Sequence, residues 1–158
     1  MTKGLVIVFL LALTSSLTYG LITLQLDGLP QWIQANKLIM QCVLVGGLGG
    51  TVYCLRGVYL NASVRKQWDN AWLPWYFSRP FVSATCGGIS YLFLKAGLLV
   101  LESSTKQDAT DLGFLVLAFI AGLNVDKFIS KVEDIAQATY GIEKSRTAKE
   151  SDQTSNEK

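Results

Sequence analysis

Residues 38–56 read LIMQCVLVGGLGGTVYCLR, an unbroken run of 18 uncharged positions closed by Arg56. A helix rises about 1.5 Å per residue, so such a run nearly spans a hydrocarbon core of about 30 Å. Its middle, Gly46-Gly47-Leu48-Gly49-Gly50, is poorly suited to a soluble helix, where each glycine costs about 1 kcal/mol against alanine. In lipid the same residues have a use. Helices there feel little hydrophobic drive toward one another, and small residues four apart, such as Gly46 and Gly50, let two backbones approach closely. A phosphate-cradling loop is excluded, because no Lys-Ser or Lys-Thr follows the glycines.

Outward from this run the same composition repeats. Gly4 to Leu26 holds 23 residues without a charge and predicts a first span over 4–26. A cleaved secretory signal is the rival reading, since Lys3 precedes the run and Thr18-Tyr19-Gly20 resembles a cleavage site; the apolar run continues past it through Leu21, Ile22 and Leu24. Asp27-Gly28-Leu29-Pro30-Gln31-Trp32 carries turn residues and an interfacial tryptophan, joining the first span to a second over 38–58 as a hairpin. A third span is expected over 80–101, with Pro80 in its first turn and Lys95 its only charge. Leu112 to Val125 is a 14-residue apolar run that Thr110 or Asp111 can cap, giving a fourth span over 110–126. That run is short for a bilayer. It is expected to continue as one long helix leaving the membrane, with a re-entrant segment as the alternative.

The fold class is therefore all-α: a polytopic membrane protein with a four-helix transmembrane bundle over 1–141. Charged residues make up 16% of the chain against about 25% in an average soluble domain, and the net charge of +2 creates no field that would attract nucleic acid. The charges are sorted. Arg56, Arg65, Lys66 and Arg79 lie between the second and third spans, whereas the other two loops carry Lys37 and Lys106. The positive-inside rule then puts the basic connector and both termini in the cytoplasm, which for a bacterial chain means a multi-pass protein of the inner membrane. Trp68, Trp72, Trp75, Tyr76 and Phe77 beside that connector read as an interfacial aromatic belt rather than a base-stacking platform. Val125, Phe128, Ile129, Val132, Ile135, Ala136 and Thr139 recur at helical spacing, predicting a cytoplasmic amphipathic extension over 126–140; the polar tail 142–158 is expected to be disordered.

Little here suits catalysis. The chain has no histidine, and its three cysteines, Cys42, Cys54 and Cys86, sit in apolar runs at no metal-ligand spacing, so no enzyme, metal or cofactor is expected. Small-residue pairs recur instead, at Gly46 with Gly50, Ala84 with Gly88, Ser83 with Gly87, and Ala118 with Gly122, as helix-packing or oligomer faces. Candidate polar lining or partner contacts are Arg56, Arg79, Lys95, Asn124 and Asp126, because intramembrane polar groups are costly and commonly functional. Lys95 is expected either to snorkel outward, with Glu102 on the same face, or to line a polar interior. Asp126 is expected to pair with Arg56 or Arg79.

The glycine-rich helix ending in Leu55-Arg56, the motif Trp75-Tyr76-Phe77-Ser78-Arg79-Pro80, and the Ala121-Gly122 step followed by Asp126-Lys127-Phe128 together resemble a loose group of small bacterial inner-membrane proteins, over residues 46–135. Proteins of this appearance are similar to the transmembrane effectors of antiphage abortive-infection systems, including retrons. That resemblance implies a homo-oligomeric membrane effector that compromises the inner membrane when a partner sensor is triggered, such as a reverse transcriptase with its noncoding RNA-DNA. The alternatives are a constitutive small channel or transporter subunit, or a membrane anchor or assembly factor. Against transport, the chain has no internal repeat and no Pro-broken helix pair.

Overall fold

The computed structural model describes residues 2–26, 28–66, 68–97 and 107–142, and every regular element among them is helical. In chain order these are α1 (Thr2–Thr23), a short α2 (Gln31–Ala35), α3 (Lys37–Tyr59), α4 (Leu73–Lys95), α5 (Gln107–Leu123) and α6 (Val125–Tyr140). The expected end of the third span at Leu101, together with Glu102, Lys106 and the polar tail from 143, lies outside the described residues. Two segments, Lys3–Thr23 and Lys37–Val64, are long and apolar enough to cross a membrane, and Asp111–Leu123 with Val125–Tyr140 makes a third if the pair counts as one broken span. By that measure the chain is a membrane protein. It divides into two compact units at the Val125–Asp126 bond.

In the first unit α3 is central and packs against α1, α4 and α5. The side of α1 that meets it carries Val6, Leu10, Leu13, Leu17, Gly20 and Leu24, all buried or half-buried. Their alternating spacing of four and three residues is the 3.5-residue repeat of left-handed helix packing. Near its start, Val6 and Leu10 join Cys54, Val58 and Tyr76 in one core cluster, and Phe9 lies 4.6 Å from Phe77, ring centre to ring centre. Further on, Gly20 lies opposite Leu44, so α1 and α3 run antiparallel. The rest of α1 is apolar and uncovered, with Leu5, Val8, Leu11, Tyr19 and Ile22 all more than half exposed. Such a helix is stable only where lipid or another protein replaces water.

Helix α4 departs from the expected 80–101. Asp69 caps a 3₁₀ turn at Asn70–Trp72 by accepting the Ala71 N–H at 2.9 Å, and the helix proper starts at Leu73 with Pro74 in its first turn. Pro74, not Pro80, therefore takes the helix-start position that suits a residue with no N–H to give. Pro80 falls inside the helix, buried against α3. Proline is tolerated there because packed neighbours compensate for the lost backbone bond. The buried stripe Tyr76, Pro80, Ser83, Gly87 and Ser90 repeats the spacing of four and three seen on α1.

Two further expectations change. Helix α5 begins at Gln107, so Thr110 and Asp111 lie inside it rather than capping it. The single long helix expected through Asp126 is instead broken at Asn124, between α5 and α6. Helix α3 also runs on beyond Tyr59 as a π turn, Leu60–Val64, in which the Arg65 N–H donates to the Leu60 carbonyl at 2.8 Å. Lys66, at φ 54°, then ends the helical path. In the second unit, α6 closes at Gly141, whose positive φ of 68° lets its N–H donate to the Gln137 carbonyl at 2.9 Å.

Candidate functional site

Two arrangements in the first unit go beyond ordinary core. One is a backbone seam. A Cβ placed on Gly46 would lie 2.7 Å from the Gly87 Cα and 2.7 Å from the Ser83 carbonyl oxygen. One on Gly122 would meet the Gly46 carbonyl group head on, and one on Gly49 would lie 2.5 Å from the Phe119 carbonyl oxygen. Three helices thus touch through main chain at the level of Gly46, Gly87 and Gly122, with no room for a side chain between them. The small stripe Ala118, Ala121 and Gly122 on α5, all buried, is what lets that helix reach α3. Along the α3–α4 contact, Val43 meets Gly88, Gly46 meets Gly87, Gly50 meets Ser83, and Gly57 meets Tyr76, an antiparallel register.

The small residues picked out by spacing are placed as follows. Gly46, Gly50, Ala118 and Gly122 lie between helices of one chain. Ala84 and Gly88 are shifted from the seam by one position: Ala84 Cβ lies 3.5 Å from a Cβ placed on Gly47, and Gly88 meets only a Val43 methyl. The α4 seam residues proper are Ser83 and Gly87, the pair one step earlier. Ser83 Oγ is fully buried against Gly50 and makes no hydrogen bond, whereas the Ser90 hydroxyl donates to the Gly87 carbonyl at 2.7 Å.

The second arrangement is a cavity of about 520 Å³ where α3, its π turn and the start of α4 meet. Arg56 and Arg65 line it together with Trp68, Trp72, Trp75 and Tyr76. Trp68 stacks on Tyr76 at 5.6 Å with an interplanar angle of 8°, and Trp75 meets Tyr76 edge-on at 5.1 Å. The Tyr76 hydroxyl accepts from Asn61 Nδ2 at 3.2 Å. Behind the wall, the Arg79 guanidinium lies 5.1 Å from the Tyr53 ring centre and 5.5 Å from that of Trp75. Lys3 Nζ comes to 5.9 Å from the Trp68 ring, which puts the start of α1 at the same end of the unit as the basic connector. Asp69, the one carboxylate of the lining, is engaged as the cap of the following turn. The sequence shows an aromatic belt here. The fold makes half of it the wall of a cavity, because the chain between α3 and α4 brings Arg65 into the lining and Trp68 back against Tyr76 of α4.

Arg79 is only 7% exposed, set between two rings, and so offers no surface to a docking partner. Lys95 sits in the last turn of α4, exposed, and donates to the Tyr91 hydroxyl at 3.0 Å; this corrects its expected place within a longer span. Asn124 is exposed at the break between α5 and α6, and its N–H donates to the Ile120 carbonyl at 2.9 Å. Asp126 lies exposed in the first turn of α6, in the second unit. Sequence reasoning missed Tyr53, Gly57 and Asn61 as wall residues; the one available signal was their spacing of four residues along the end of α3. All three cysteines are buried free thiols, and among the described residues no three His, Cys, Asp or Glu side chains are grouped to hold a metal ion.

No family model matches the chain, and neither a curated protein nor a solved structure does.

Proposed function

We propose that this chain is a four-pass inner-membrane effector that acts on the bilayer itself, held closed at rest and opened or assembled when a partner sensor is triggered. The observation that carries the reading is the seam. Main chain meets main chain at Gly46, Gly87 and Gly122, so one resting copy has no conduit through its centre at that level. A leak must then form between copies or by separation of the helices, which suits a switched effector better than a constitutive channel. Its action is non-enzymatic.

That α4 is one of the passes is supported by the way it is packed. Its 23 residues reach about 35 Å; Arg79, Ser83 and Ser90 are turned inward, Phe81, Val82 and Leu92 are exposed, and the exposed Ser78 and Thr85 hydroxyls donate to the helix's own Trp75 and Phe81 carbonyls. A helix polar on its protein side and apolar on its lipid side can cross despite modest average hydropathy. The basic end, with Lys3, Arg56, Arg65 and Lys66, then faces the cytoplasm by the positive-inside rule. Homo-oligomers would form through the uncovered apolar face of α1. A sensor such as a reverse transcriptase with noncoding RNA-DNA would meet the connector or α6.

The test is induction of the chain without partners in bacteria carrying a potential-sensitive dye, followed by ion flux from liposomes containing the purified protein. Depolarisation within one cell doubling and flux that rises steeply with protein density are expected. Unchanged membrane potential at high expression, with no flux at any density, would overturn the effector reading.

A further inference from the structure

The cavity at the basic end has no part in the seam, and its chemistry is specific enough to name a ligand class. We propose that it binds a phosphate-ester anion, and that the source is the headgroup of an anionic phospholipid. The inference does not depend on the effector reading. Two guanidinium groups, of Arg56 and Arg65, line the same space and can each offer paired donors to phosphate oxygens. Neither is buried by the protein, so neither needs the fold to neutralise it. A third cation, Lys3, lies against the Trp68 ring of the wall rather than inside the cavity, and raises its potential without occupying it.

Among the described lining residues Asp69 is the one carboxylate and opposes this, but it already accepts a backbone N–H, and Arg56 and Arg65 outnumber it. The walls favour a lipid as the source. Trp68, Trp72 and Trp75 lie at the end of two helices with a strong apolar face, where amphipathic rings settle at headgroup level. Basic pockets between helices on the cytoplasmic side are the usual seat of anionic headgroups. At about 520 Å³ the cavity accommodates a phosphoglycerol group.

The π turn is the device that builds the site. Its wider turn places Arg65 in the same lining as Arg56, nine positions earlier on α3. Wide turns of this kind are found disproportionately at functional positions.

The experiment uses the full chain in nanodiscs of phosphatidylcholine with a minority of phosphatidylglycerol, transferred to neutral detergent and weighed intact to count retained lipids. Phosphatidylglycerol should be kept in preference to phosphatidylcholine. Arg56→Ala should weaken that retention about fivefold and Arg56→Ala with Arg65→Ala about 30-fold. Protection of Cys42, Cys54 and Cys86 from alkylation shows that the variants still fold. Lys127→Ala with Lys131→Ala removes the same charge from α6 and should leave retention unchanged. Equal retention of both lipids, retention surviving the double arginine change, or an equal loss on changing α6 overturns the site. A nucleoside triphosphate added to phosphatidylcholine-only nanodiscs tests the soluble source through tryptophan fluorescence. Saturable quenching lost in the double arginine variant, without phosphatidylglycerol retention, supports a phosphate site and overturns the lipid as its occupant.

Discussion

Gly122→Ala adds one methyl group at the tightest point of the α3–α5 contact. The new carbon would lie 2.6 Å from the Gly46 carbonyl carbon and closer still to its oxygen, where ordinary contact begins near 3.4 Å, so the helices must part by more than about 0.8 Å. Neither obstacle is a side chain that can rotate away; both are main chain, and movement of a whole helix is the remaining response. Overpacking costs about 1–3 kcal/mol, and against main chain that cannot rotate away the upper part of that range, about 2–3 kcal/mol, applies. Alanine returns up to about 1 kcal/mol through its better helix propensity, leaving a net loss of about 1–2 kcal/mol. The buried thiols provide the assay in native membranes, since Cys42, Cys54 and Cys86 are 0%, 0% and 4% exposed. If alkylation requires opening of the bundle, its rate follows the open population and should rise about 5- to 30-fold in the variant. Gly20→Ala is the control: its added carbon meets only Leu44 methyl carbons at 3.4 and 3.6 Å, and protection should be unchanged or improved. A Gly122→Ala protein whose thiols react no faster than those of the parent would refute the seam as a close backbone contact.

Other predictions follow from the same packing. Ser83→Ala removes a buried hydroxyl that makes no hydrogen bond and should stabilise the bundle by about 1 kcal/mol, seen as slower thiol alkylation; faster alkylation would show that the hydroxyl is satisfied after all. Trp75→Ala removes ring contacts to Tyr53, Trp72 and Tyr76 and one of the two rings beside Arg79, and should cost about 3 kcal/mol in detergent unfolding monitored by circular dichroism. A reporter that works only in the cytoplasm should be active when inserted at Val64, and one that works only after export should be active at Gly28; the reverse pattern would invert the topology.

Some of this was written locally. The 23 uncharged residues from Gly4 to Leu26 and the 18 from Leu38 to Leu55 mark helices by composition alone, because partition into lipid depends on what a segment contains rather than on what it touches. The basic cluster between Arg56 and Arg79 is equally legible, and so is the presence of helix-packing small residues. Their pairing is not. Ala84 and Gly88 have the same spacing as Ser83 and Gly87, and only the rotation of α4 against α3 puts the second pair at the seam.

The same division explains the helix ends. Two prolines, Pro74 and Pro80, each carry a start signal, and the choice between them fell to the Asp69 cap and to the burial of Pro80 against α3. The sequence by itself determined that this chain belongs in a bilayer, that its elements are helices and which end carries the cations, since these follow from side-chain transfer energies and charge counts. Tertiary structure alone decided which glycines touch, that Arg79 is enclosed between rings, and that an aromatic belt folds into a cationic cavity. Those features depend on residues distant along the chain meeting at defined angles, and no local run of residues encodes an angle between helices.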